Sequence, residues 1–310
     1  MTAIDGVDSI GGIAPAEAPA VGAEAAPPMR RPRIPFTDRL LKWWSILVFI
    51  FLFTPILVIV IYSFNTGRLL VAFDSFGFDS YAALFQKHVL SDAVMVSLRV
   101  ALIASIFAAA LGTLAGIALA RRPGKWTLWF VAFLLLVAVT PDIVGAVALL
   151  PWLVYLGQDL GLFVFNDGIV RLTVGSSLFS IAVVTYIVRA RLVGMPANLE
   201  EASADLYSTP ARTFRKVTLP LAMPAILAGF LLSFTFALDD TIVASFVQVS
   251  GSTPWPVYVL SALRSGLRPE IAAVSTLMLL LTLIALAIVA IVLKRAGDSS
   301  ADIARTMAGG

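Results

Sequence analysis

Apolar runs long enough to cross a lipid bilayer recur along this chain, and they constrain its fold more than any single motif does. Residues 43–64, 93–120, 126–150 and 271–293 are such runs, and shorter or interrupted ones occupy 172–188 and the stretch that begins at 221. At about 1.5 Å of rise per helical residue, roughly 20 residues cross a hydrocarbon core of about 30 Å. Hydrophobic residues make up 59% of the chain and its mean hydropathy is +0.95, values outside the range of ordinary soluble domains. Backbone groups in lipid must find their hydrogen bonds within the segment, so helices are expected. The expected class is an all-α integral membrane protein with six transmembrane helices.

Six spans put both termini on one side of the membrane, and the basic residues say which. Sixteen Lys and Arg fall on the side of the termini. They include Arg30, Arg31, Arg33, Arg39 and Lys42 before the first span, Arg121, Arg122 and Lys125 after the second, and five between Arg189 and Lys216. The opposite side has only Arg68, Lys87, Arg171, Arg264 and Arg268, with Arg99 inside the second span. The positive-inside bias therefore puts the termini, and the polar stretch around residue 210, in the cytoplasm.

Residues 1–29 are rich in Ala, Gly and Pro and contain no Lys or Arg. They are expected to be a disordered cytoplasmic tail, followed by a basic juxtamembrane segment at 30–42. This is not the pattern of a cleavable signal, because the basic cluster precedes a full-length span. The six-span domain is expected over 43–295, with a polar cytoplasmic tail at 296–310. The loop after the first span, with Phe73, Phe76, Phe78 and Tyr81, is expected at the membrane surface. Gly112 and Gly116 have the spacing that permits close helix approach, though glycine is also simply tolerated in membrane helices. Residues 151–171 and the segment with Pro254, Trp255 and Pro256 are expected to be loops.

Several classes find no support. The chain has no cysteine and a single histidine, His88, which argues against thiolate or His-rich metal sites. Gly124 and Lys125 are followed by Trp126 and lack the upstream glycine of a phosphate-binding loop. With no nucleophile elbow either, no catalytic residue, resident cofactor or nucleic-acid partner is expected. No repeat of broken helices of the kind common in secondary transporters is evident.

Three acids stand out because they fall in apolar surroundings. Asp142 interrupts the run at 126–150 just after Pro141, and Asp239 and Asp240 lie on the far half of the fifth span. A carboxylate near the bilayer centre costs on the order of 3 kcal/mol, so such residues usually face an aqueous path or a partner. They are candidates to line a path for a cationic solute, with Trp255 as a possible amine-stacking neighbour. Structural alternatives stand beside this: Asp239 and Asp240 at the outer interface, paired with Arg264 or Arg268; Asp142 heading a helix restarted after Pro141; and Trp255 as an interface anchor.

The long polar interval of the second half, residues 201–220, reads EASADLYSTPARTFRKVTLP. Asn198 and Glu201 have capping-box spacing, which predicts a helix over 199–206. Residues 207–209 break it, and Thr209 before Pro210 has the form of an N-cap with proline at the first helical position. The second helix is expected to end near Val217. A cytoplasmic helical hairpin results.

The spacing of Glu201, Ala202, Ser203, Tyr207, Val217, Leu219 and Pro220 resembles the EAA loop of the membrane subunits of bacterial ABC importers. Ser203 stands where that family usually has Ala, and Tyr207 where it has Gly. A positive φ at Tyr207 is costly, so a differently built turn is expected. The stretches TPDIVGAVALL at 140–150, LPLAMPAILAGFLLSFTFALDDTIVASF at 219–246 and LRSGLRPEIAAVSTL at 263–277 are similar to the PotC-type branch of spermidine and putrescine importers. GSTPWP at 251–256 departs from that branch.

This resemblance implies a type I ABC importer permease fold in the bacterial inner membrane. It further implies a second permease subunit, two cytoplasmic ATP-binding subunits that hold ATP and Mg, and an extracytoplasmic substrate-binding protein as partners, besides membrane lipid. Glu201, Ala202, Ser203, Asp205, Tyr207, Val217, Leu219 and Pro220 would then meet an ATPase subunit. Asp142, Asp239, Asp240 and Trp255 would be the substrate-path candidates. The same machine with another cargo, such as ferric iron, sulfate or an opine- or phosphate-ester-like solute, and a proton-coupled secondary transporter remain the alternatives.

Overall fold

A computed structural model describes residues 36–70, 72–121, 124–195 and 198–295. The expected tails at 1–29 and 296–310 lie outside them. The helices are α1 Phe36–Tyr62, α2 Asp79–Gln86, α3 His88–Arg121, α4 Lys125–Val139, α5 Asp142–Val154, α6 Gly168–Val193, α7 Asn198–Asp205, α8 Pro210–Thr213, α9 Leu219–Asp239, α10 Ile242–Val247, α11 Trp255–Ser265 and α12 Pro269–Arg295. Among the described residues there is no strand, only an isolated bridge between Asn65 and Phe76.

By its contacts the chain divides into two units, residues 1–52 and 53–310. The described side chains of the first belong to the leading part of α1, where every one from Leu40 to Leu52 is exposed.

The second unit is built around α3, α6 and α9, which pack on one another, with α12 against α9. Close approach rests on missing side chains. A Cβ on Gly112 of α3 would come within 2.6 Å of the Val184 Cβ on α6, and one on Gly116 within 3.0 Å of the Thr185 carbonyl. Val184 also faces Gly229 of α9, at 3.1 Å from a Cβ placed there. Gly112 and Gly116 are therefore packing residues rather than tolerated ones.

Among the described residues five helices are long and apolar enough to cross a membrane, and a sixth span arises only if a bent pair is taken as one. That pair lies where Pro141 and Asp142 were expected to interrupt the span at 126–150, and the interruption is a sharp bend. Lys125–Val139 and Asp142–Asp159 meet at 103°. The cause is local: Thr140 before proline takes an extended ψ of 126°, as the clash with the proline ring favours, and α5 restarts at Asp142. At 15 residues, α4 is about 22 Å long, shorter than the hydrocarbon core.

Two expected loops are largely helical. Between 151 and 171, α5 runs to Val154, a π turn covers Tyr155–Asp159 and a 3-10 turn covers Phe163–Asn166. Asp167 then caps α6, its side chain accepting the Val170 N–H at 3.0 Å. Beyond Asp240 the chain folds into α10, packed on α5 and α6, and α11, packed on α3.

The loop after α1 is ordered by Asn65, which is 1% exposed. Its amide donates to the Ala72 carbonyl at 2.8 Å, and its side-chain oxygen accepts the Asp74 N–H at 2.9 Å. Phe64 stacks on Phe76 beside it.

Candidate functional site

The polar stretch forms the expected hairpin of helices, with three corrections. Asn198 is the first residue of α7 rather than its cap. Thr209 does precede α8 with Pro210 at its start, but its side chain makes no capping bond. The second arm does not end near Val217. A π turn at Phe214–Thr218 carries it into α9, giving one continuous helix over Pro210–Asp239. Pro220 has no N–H to return to the carbonyl four residues earlier, and a widened turn just ahead of it accommodates that loss.

The turn between the arms is built on a left-handed residue after all. Tyr207 has φ 57°, the one positive φ outside glycine among the described residues. It is 96% exposed, so nothing among the described residues packs against the ring. Ser203, the residue that replaces Ala, has a partner: its hydroxyl is 2.9 Å from that of Thr213 and clips α7 to the second arm. Glu201, Ala202 and Asp205 are exposed along α7, Val217 and Leu219 are half-buried, and Pro220 is exposed.

Sequence reasoning missed Glu200. Its Oε1 accepts the Thr218 hydroxyl at 2.6 Å and lies 2.7 Å from the Arg121 guanidinium at the end of α3. A signal was present, since consecutive helical residues point about 100° apart and two adjacent acids cannot both face outward equally.

The structure separates the acids that are adjacent in sequence. Asp239, the last residue of α9, is exposed. Asp240 is half-buried, and its carboxylate accepts the Ser176 hydroxyl at 2.7 Å and the Val243 N–H at the start of α10 at 3.1 Å. No ion pair joins either acid to Arg264 or Arg268 among the described residues.

Asp142, exposed at the first position of α5, instead lies within repelling range of Asp240. Acids nearly a hundred residues apart in sequence, each beside a helix break at 140–141 or 240–241, thus come within range of one another's charge. Ser176 lies eight residues into α6, about 12 Å along its axis. Asp240, bonded to it, therefore sits more than two turns in from the N-terminal end of that helix rather than at its tip. Ser176 carries no signal in the sequence that singles it out from its neighbours.

Trp255 is elsewhere. It is 5% exposed and packs with Leu90, Ala93, Ala262, Ile271 and Val274. Its backbone N–H donates to the Ser97 hydroxyl at 2.7 Å, and its ring stacks on Tyr258. The ring is packed inside the helical unit, which differs from the exposed position expected of an interface anchor.

Comparison with known proteins follows the same lines. Residues 110–300 match the family described as binding-protein-dependent transport system inner membrane component. The chain is 36% identical over 242 residues to the putrescine transport system permease protein PotI of Escherichia coli (strain K12), covering 76% of this chain and 85% of that one. It is 34% identical over 236 residues to the spermidine/putrescine transport system permease protein PotC of Haemophilus influenzae, covering 76% and 89%. Among solved structures it is similar to a chain of a bacterial ABC transporter involved in the import of the acidic polysaccharide alginate. That likeness has a TM-score of 0.60 and 15% identity, covers 84% of this chain and 96% of that one, and speaks to the fold. By sequence over most of its length and by fold, this chain belongs to the family of binding-protein-dependent transport system inner membrane components.

Proposed function

We propose that this chain is a transmembrane permease subunit of an ATP-driven importer for polyamines such as putrescine and spermidine. The observation that carries the cargo reading is the Asp240 carboxylate held by Ser176 and by the Val243 N–H at a helix break, within the range of the Asp142 charge. Two carboxylates that repel each other are relieved by a cation between them, and a flexible diamine or triamine can pass such a point one ammonium at a time. The acids sit at or just before helix starts, where backbone N–H groups stabilise the negative charge without neutralising it. Asp239, exposed one residue earlier, is a further contact on the same path. The names of the relatives support the same cargo class.

In this reading the chain works with a second permease subunit, two cytoplasmic ATP-binding subunits and an extracytoplasmic binding protein. ATP and Mg are held by the ATP-binding subunits, and this chain contributes no hydrolytic site of its own. Its termini and its hairpin lie on the cytoplasmic side. The exposed row Glu201, Ala202 and Asp205, the Tyr207 turn, and Val217, Leu219 and Pro220 at the root of the second arm form the contact with an ATP-binding subunit. Because that second arm is continuous with α9, closure of the ATP-binding subunits would tilt α9 and with it the break at Asp240. Access then alternates between the two sides while the binding protein supplies most of the selectivity.

The deciding experiment is ATP hydrolysis by the complete importer in vesicles, with polyamine-loaded binding protein added. Stimulation by putrescine or spermidine, accompanied by their uptake, is expected. No stimulation by any polyamine would overturn the cargo assignment.

A further inference from the structure

We infer that Glu200 is a positioning residue that couples α3 to the hairpin, so that motion of the hairpin reaches α3 as well as α9. This rests on the coupling role proposed above for the hairpin. The second arm is joined to α9 by the chain itself. By contrast α3, the helix that packs most extensively on α6 and α9, leaves the bundle at Arg121, far from the hairpin in sequence. A single carboxylate oxygen closes that gap. Glu200 Oε1, on the first arm, takes the Arg121 guanidinium at 2.7 Å and the Thr218 hydroxyl at 2.6 Å.

Three segments meet at that oxygen: the end of α3, the first arm of the hairpin, and the π turn from which α9 starts. Thr218 is 3% exposed, and the side chains of Arg121 and Glu200 are 24% and 31% exposed. The junction is therefore partly sheltered, which strengthens a charge-assisted bond relative to a surface ion pair. The cation also ends a 34-residue helix, where its charge complements the carbonyl end of the axis. Glu201, one residue on, is exposed. Neighbouring acids thus divide the work, Glu201 facing outward to the partner and Glu200 inward to the bundle.

The test measures whether the two segments move together. The chain has no cysteine, so Ala118→Cys on α3 and Ala204→Cys on α7 can be spin-labelled without background in the complete importer. Their separation is compared at rest and with ATP trapped by vanadate. The expected result is one separation in both states for the otherwise native chain, and a state-dependent separation once Glu200→Ala is added. Exchange of the pair, Arg121→Glu with Glu200→Arg, is expected to restore the constant separation, and Glu200→Gln to give an intermediate result.

The same variants are read for ATP hydrolysed per spermidine imported, which Glu200→Ala is expected to raise about tenfold, within the usual range of coupling energies. A state-dependent separation in the native background, or a constant one in Glu200→Ala, overturns the inference. Should Glu200→Ala fail to insert, the pair Arg121→Cys and Glu200→Cys decides: joining the thiols with a short bifunctional reagent must restore the ratio that is lost before joining. Glu201→Lys separates the two readings. If it leaves import intact, the hairpin is no lever and both fall. If it abolishes import while Glu200→Ala changes nothing, only the role of Glu200 falls.

Discussion

The Ser176 hydroxyl donates to the Asp240 carboxylate at 2.7 Å, joining α6 to the point where α9 ends and α10 turns away. The bond fixes one carboxylate oxygen, while the other accepts the Val243 N–H. Asp240 is therefore held in place by neutral donors that leave its charge available.

Replacing that charge tests the path directly. Asp240→Asn keeps the size and the ability to accept from Ser176, and is expected to lower spermidine uptake by about tenfold, equivalent to some 1.4 kcal/mol. Ser176→Ala is expected to cost less, because it loosens the carboxylate without removing it. Uptake of labelled spermidine into vesicles at matched protein levels measures both, and equal uptake by Asp240→Asn and the native chain would return the acid to a purely structural role.

Asp142 and Asp240 should also be interdependent. If both face one cation, the double change to Asn costs less than the two single changes added together, because either change alone already removes the shared site. A double-mutant cycle on uptake reads this, and strict additivity would place the two acids at separate points.

Charge reversal on the exposed side of α7 probes the hairpin from outside. Glu201→Lys is expected to abolish uptake while leaving insertion in the membrane unchanged and ATP hydrolysis uncoupled from transport. Membrane-fraction blots together with ATPase and uptake assays distinguish this from a folding defect. Normal uptake would contradict the lever assignment.

Tyr207 holds a left-handed backbone at a cost of about 1 kcal/mol that glycine would not incur. Tyr207→Gly is therefore expected to be tolerated by the fold, and to slow limited proteolysis of the hairpin in the isolated chain. If uptake falls although the hairpin is better protected, the exposed ring itself contacts a partner.

The helix contact at Gly112 is predicted to be a sensitive packing point. Gly112→Leu would drive side-chain atoms into Val184 and the Ile181 carbonyl, and overpacking of this kind costs about 1–3 kcal/mol. Gly145→Ala meets nothing within 4 Å and serves as the neutral comparison. Thermal unfolding in detergent should lower the midpoint for the first and leave it unchanged for the second.

The sequence by itself determined the helical membrane class, because runs such as 93–120 and 271–293 are too long and too apolar for a domain surrounded by water. It also placed the hairpin and its turn, since Thr209, Pro210 and the run of polar residues act over a few positions and need no distant contact. It did not reveal that Tyr207 would accept a positive φ, because the strain of one turn is set against the geometry of both arms together. Nor could it say that the second arm would run on into α9, a matter of how a widened turn absorbs Pro220.

Only the tertiary structure decided which polar groups meet. Asp239 and Asp240 are neighbours along the chain yet part at a helix end, while Asp240 finds the Ser176 hydroxyl on α6, 64 residues away, and comes within range of the Asp142 charge. Glu200 found Arg121 and Thr218 for the same reason. Helix type follows from local spacing and solvent, whereas the partner of a side chain depends on crossing and bending, which the sum of many distant contacts sets.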